Sequence, residues 1–217
     1  MKNHYTLRWV FFIGGLAILA CGVALTIKGQ SYGVGSWDVL HVGLYQSFGL
    51  TIGTWSILLG LLIIILSAIV LKELPKIGTI MNMALTGLFI DFFNAIIPDV
   101  HTAVGQLICF VSGVIILGIG DAIYITANLG AGPRDSLMLI AVERLKLSIT
   151  VARTAMEFLV AVTGYLIGGP IGLGTVIMVF VLGPVIQISF KYTERLYQYL
   201  TKEKVVVVVE EEVKQNV

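Results

Sequence analysis

Six stretches of about twenty mostly apolar residues, at roughly 8–28, 52–71, 77–97, 104–128, 149–168 and 172–190, constrain this chain more than any other feature. A helix of about 20 residues crosses the hydrocarbon core of a bilayer. In lipid the backbone must satisfy its own N–H and C=O groups, so runs of this kind are helices. Composition agrees: the 217 residues are 57% hydrophobic and 12% charged, where a soluble domain carries about a quarter charged residues. Fourteen basic residues stand against 13 acidic ones, so no overall field attracts nucleic acid, and that partner class is excluded. The expected partner is the lipid bilayer, and the expected fold is an all-α membrane protein.

Two further stretches, about 37–49 and 134–146, are too short to cross comfortably. Each follows a glycine-rich break: Gly33-Val34-Gly35-Ser36-Trp37-Asp38-Val39-Leu40 in the first, Gly130-Ala131-Gly132-Pro133-Arg134-Asp135-Ser136 in the second. The breaks belong to an internal duplication. Phe12 aligns with Phe110, Gly15 with Gly113, Gly22 with Gly120 and Ala24 with Ala122. Gly33 aligns with Gly130, Gly35 with Gly132, Asp38 with Asp135, Gly78-Thr79 with Gly174-Thr175, and Gly87 with Gly183. Each half therefore reads as span, short segment, span, span. The first repeat covers 1–98, the second 99–190, and a cytosolic tail 191–217.

Basic residues decide whether the short segments cross. Lys and Arg near span ends favour the cytoplasm. With six spans and an internal N-terminus, Lys2, Arg8, Lys72, Lys76, Arg144, Lys146 and Arg153 lie inside, and only Lys28 lies outside. Eight spans would move Lys72, Lys76 and Arg134 outside. Six spans follow, with three in each half, so the halves are inverted and the short helices re-entrant. Both termini are then cytoplasmic.

Lys2 and Arg8 before an apolar run also resemble a signal peptide, and Ile18-Leu19-Ala20-Cys21 comes near a lipoprotein cleavage box. The run is too long for a usual signal core, and the repeat gives it a counterpart, so it is read as a first span. Cys21 and Cys109 sit inside apolar runs without a CxxC or His partner and read as core residues, not as disulfide or metal ligands. From Lys191 onward, Tyr192, Tyr197 and Tyr199 suggest an interfacial helix. The Val205–Val209 and Glu210–Glu212 runs are low complexity.

A backbone break at membrane depth is tolerated only beside protein or a water-filled cavity. Paired breaks in corresponding positions of inverted halves point to a transporter's site. The candidate substrate-binding residues are therefore Gly35, Trp37, Asp38, His41, Gly132, Pro133, Arg134 and Asp135. Asp38 and Asp135 fit helix capping as well as a direct role, and the two readings weigh equally. Arg134 reads first as the partner of Asp121 or Asp135, and second as a ligand for an anion. Trp37 reads first as an interfacial anchor.

Intramembrane charges are costly and face the bundle interior by default. Arg153 and Glu157, four apart on one helix, read as a structural pair. Asp91 and Asp121 have no partner nearby in sequence and are candidates for ion or proton coupling. His4 and His101 are incidental. Pro184, next to Gly183, should bend the last span, and Gly164 and Gly168 fit close helix contact. No nucleotide, metal or hydrolase motif appears, so neither an enzyme nor a cofactor is expected.

The stretches Gly35-Ser36-Trp37-Asp38-Val39-Leu40, Gly78-Thr79 with Asn82 and Asp91, and Gly132-Pro133-Arg134-Asp135-Ser136-Leu137-Met138 resemble the YczE/YyaS/YitT group of bacterial integral membrane proteins, nearest its YczE branch. The likeness covers residues 8 to 190. It implies a bacterial inner-membrane protein and carries over no catalytic assignment. The expected function is a secondary transporter or permease for a small solute, with a non-transporting membrane scaffold or assembly factor as the alternative. Solute identity and homo-oligomerisation stay open.

Overall fold

A computed structural model describes residues 5–72, 74–130 and 132–201. Lys2, Ala131 and the Val/Glu-rich stretch lie outside the described residues. Among the described residues eight α-helices follow in order: α1 Tyr5–Lys28, α2 Ser36–Phe48, α3 Ile52–Leu71, α4 Ile77–Ile96, α5 Ala103–Thr126, α6 Pro133–Leu145, α7 Ile149–Leu166 and α8 Leu173–Thr201. Five of them, α1, α3, α4, α5 and α8, are long and apolar enough to cross a membrane. Large apolar side chains such as Leu62, Ile69, Leu88, Ile108 and Phe180 stand exposed on their outer faces. In water such faces would demand burial; in a bilayer, lipid covers them.

Local chemistry sets the helix ends. The hydroxyls of Thr51, Thr102 and Ser148 accept from the backbone N–H groups of Thr54, Gly105 and Val151, capping α3, α5 and α7. Pro133 opens α6, where its missing N–H costs nothing. Lys72 and Lys146 close α3 and α6 in the left-handed conformation.

The bundle is built on α1 and α5, which run antiparallel in close contact. Glycines allow it. A Cβ at Gly22 would stand 2.6 Å from Leu117 Cα, and one at Gly15 would stand 2.9 Å from Tyr124 Cα. The contacts are reciprocal between positions that align in the sequence. A Cβ on Gly120 would meet the Gly15 carbonyl oxygen at 2.9 Å, and one on Gly113 would meet that of Gly22 at the same 2.9 Å. Such reciprocity is what a two-fold relation between like surfaces produces.

Other pairings repeat it. α4 packs on α1 and α8 on α5, while α2 packs on α7 and α6 on α3. Gly33 (φ 108°) and Gly130 (φ 154°) hold left-handed backbone, where a Cβ would stand 2.8 Å from the backbone N of Thr175 and of Thr79 respectively. Ser47 at the end of α2 donates to the Ile167 carbonyl at 2.6 Å, and Arg144 at the end of α6 donates to the Val70 carbonyl at 2.6 Å. Each short helix thus begins and ends beside one turn: α2 at the α7–α8 connection, α6 at the α3–α4 connection.

One pairing is not repeated. α3 packs along α4, but among the described residues α7 and α8 make no comparable contact. Two sequence expectations are also corrected. The segment after Lys191 is not a separate interfacial helix, because α8 runs unbroken to Thr201 with Pro184 inside it. Tyr197 is buried, its ring edge-on to Phe11 at 5.3 Å. An aromatic partner on α1 outweighs the headgroup zone for this side chain.

Candidate functional site

The first turns of α2 and α6 open onto one cavity of about 500 Å³ between the two halves. Two short helices reach it because each follows extended backbone, with Gly35 at φ −60°, ψ 152° and Gly132 at φ −67°, ψ 164°. The cavity brings together every candidate substrate-binding residue: Gly35, Trp37, Asp38 and His41 from the first half, Gly132, Pro133, Arg134 and Asp135 from the second. Asp121 of α5 and Arg153 and Glu157 of α7 line it too. It also reaches along Met178 to Ile186 of α8, where α7 and α8 stand apart.

The aligned positions Trp37 and Arg134 meet each other. The guanidinium carbon of Arg134 lies 5.1 Å from the centroid of the Trp37 ring, within cation–π range. Two arginines there would repel, whereas an arginine on a tryptophan attracts. This overturns both first readings from sequence. Trp37 is not an interfacial anchor but is 5% exposed at the cavity wall. Among the described residues no ion pair joins Arg134 to Asp121 or Asp135.

The two aligned aspartates also differ. Asp135 accepts from its own helix's Gly132 N–H at 3.2 Å, so capping describes it well. Asp38 makes no such cap. Its Oδ1 sits 3.5 Å from His41 Nδ1, and among the described residues neither atom has a hydrogen-bond partner. The Trp37 indole N–H is likewise without one. Buried polar atoms left this way are expensive and call for an explanation.

Arg153 and Glu157 share the cavity wall, yet no ion pair forms between them among the described residues. Spacing of four on a helix permits contact but does not oblige it, and here both line open space. Asp91 stands apart from the cavity. It has the partners that the sequence failed to reveal: the Thr51 hydroxyl donates to Oδ2 at 2.5 Å and the Gly53 N–H donates to Oδ1 at 2.8 Å. The carboxylate therefore fastens the start of α3 to α4.

Thr86 was not legible as a site residue. Thr86 lines the cavity one turn beyond Asn82, and its buried hydroxyl has no partner among the described residues. The four-residue spacing of Asn82 and Thr86 on one face of α4 is the signal that would have found it. Asn82 lies against Gly132, its Oδ1 being 3.4 Å from where a Cβ would sit. The position aligned with it, Met178, lies against Gly35. One break therefore faces an amide and the other a thioether.

Apolar helices around a buried polar cavity define a helical membrane protein. The chain belongs to the family described as a family of unknown function (DUF6198), which matches residues 6–191. It is 43% identical over 199 residues to the uncharacterized membrane protein YczE of Bacillus subtilis (strain 168), covering 92% of this chain and 93% of the relative. It is 30% identical to the uncharacterized protein YyaS of the same organism, over 91% of this chain and 98% of that one. An uncharacterized protein of Haemophilus influenzae is 35% identical over 83% of this chain and 82% of its own length. No solved structure matches.

Proposed function

We propose that the chain is a secondary permease for a small solute, built as two inverted three-span repeats with a re-entrant short helix in each. The reciprocal glycine contacts of antiparallel α1 and α5 support the inversion. The ends of α2 and α6, each tied to a single turn, support re-entrance over crossing. α7, with 18 residues, is about 27 Å long and serves as the sixth span. Its Arg153 and Glu157 line the cavity, where intramembrane charge is tolerated. The positive-inside pattern then sets both termini in the cytoplasm of a bacterial inner membrane.

One observation carries the transport reading. Two half-helices from opposite ends of the bundle converge on a single cavity whose polar side chains include several without partners. Broken helices meeting at the interface of inverted repeats are the usual location of a transporter's site. The unequal pairing of α3 with α4 and of α7 with α8 fits alternating access, in which equivalent halves exchange a closed and an open arrangement. Asp121, in the cavity wall, is the coupling candidate; Asp91 is assigned to holding α3 against α4.

The test is flux of a solute panel into vesicles containing the purified protein, comparing wild type with Asp38→Asn and Asp135→Asn. The permease predicts folded variants with lost flux. A scaffold predicts no flux in any protein and effects on folding alone.

A further inference from the structure

Resting on the permease reading, we propose that the cavity takes an amphipathic zwitterion of amino-acid type, an ammonium and a carboxylate on one carbon with an apolar side chain. Among the unpartnered groups the Thr86 hydroxyl and His41 Nδ1 can donate or accept, and the others sort by chemistry. On one side are donors lacking acceptors: the Trp37 indole N–H, 5% exposed overall, and the Arg134 guanidinium. Stacked on Trp37, that guanidinium has no carboxylate within 4.0 Å among the described residues. A guanidinium offers five N–H donors in a planar fork suited to a carboxylate.

On the other side is an acceptor lacking a donor. Asp38 is 3% exposed, and its Oδ1 finds only His41 Nδ1 at 3.5 Å, too far for a good hydrogen bond. Consecutive helical residues point about 100° apart, so Asp38 flanks the Trp37–Arg134 stack and does not coincide with it. A ligand carrying only a cation would leave Arg134 and the indole unanswered. One carrying only an anion would leave Asp38 unanswered and add a second negative charge beside it. A zwitterion answers both. The remaining volume of the roughly 500 Å³ cavity, walled by Leu19 and Leu117 among others, suits an aliphatic group.

Three probes of nearly one shape test this by calorimetry on detergent-solubilised full-length protein: leucine, 3-methylbutylamine (no carboxylate) and 4-methylpentanoate (no ammonium). Wild type should bind leucine at least about tenfold more tightly than either single-charge probe. Arg134→Gln should abolish that advantage over the amine, and Asp38→Asn the advantage over the carboxylate. Trp37→Phe, which keeps the ring under Arg134 but removes the N–H, should weaken leucine and 4-methylpentanoate only. Equal binding of leucine and the amine, or of leucine and the carboxylate, would overturn the zwitterion, as would no leucine binding by folded wild type. The wild-type comparison needs no variant to fold. Flux separates the two claims: leucine bound but not moved sinks the permease and leaves the site, while flux of a purely cationic or anionic solute sinks the zwitterion and leaves the permease.

Discussion

Replacing Gly22 by alanine tests the close approach of α1 and α5. The new methyl would stand 2.6 Å from Leu117 Cα and 2.7 Å from its Cβ. These atoms belong to the backbone of α5 or are fixed to it, so no rotamer change relieves the contact and the helices must separate. Overpacking of this kind costs about 1–3 kcal/mol. Against it stands a gain of up to about 1 kcal/mol, because alanine is the better helix former. Gly14→Ala on the same helix isolates the packing cost. Nothing lies within 4 Å of a Cβ there, so only the helix gain remains. The two variants should differ by the overpacking cost, about 1–3 kcal/mol or roughly 2–12 °C in melting temperature for a chain of this size, measured by thermal unfolding in one detergent. Gly120→Ala should match Gly22→Ala, since a Cβ there would stand 2.6 Å from Leu19 Cα. The double variant should lose less than the sum, because the first methyl has already parted the helices. Equal melting of Gly22→Ala and Gly14→Ala would refute the close α1–α5 packing and the inverted arrangement built on it.

Asp91→Asn should cost about 1–3 kcal/mol by weakening the charge-assisted bonds from Thr51 and Gly53, seen as earlier unfolding with leucine affinity unchanged. At the bundle surface, the Lys28 ammonium 2.6 Å from Asp99 holds that carboxyl below its usual range. A depressed folded-state value means stability present above the unfolded value, near 3.9, and lost as pH falls through the folded one. Lys28→Met should therefore remove a small acid-side loss below about pH 4, and the Asp99 carboxyl should titrate higher by NMR. Cysteines introduced at Thr51 and Ser148 should label from opposite sides, Thr51 from outside; labelling of both from one side would exclude six spans.

Much of the fold was legible because lipid leaves the backbone few choices. The apolar runs foretold α3 as 52–71 and α4 as 77–97, against Ile52–Leu71 and Ile77–Ile96 in the structure. The short helices likewise fell within a residue of Ser36–Phe48 and Pro133–Leu145. Glycine, proline and Thr/Ser caps mark those ends through purely local chemistry. The residues of the two breaks named from sequence all line the cavity, whereas Asp91, ionisable and within a span, lies outside it and Thr86 inside it went unnamed.

What the sequence could not supply was the partner of each side chain. Arg153 and Glu157 stand four apart, yet they turn to open space. Asp91 looked alone until α3 brought Thr51 and Gly53 to it. Arg134 had two acids nearby in the chain and settled on Trp37. Period and hydropathy are properties of one helix, readable along the chain. Which carboxylate meets which donor depends on helices that cross from distant segments, and only their packing brings those atoms within reach.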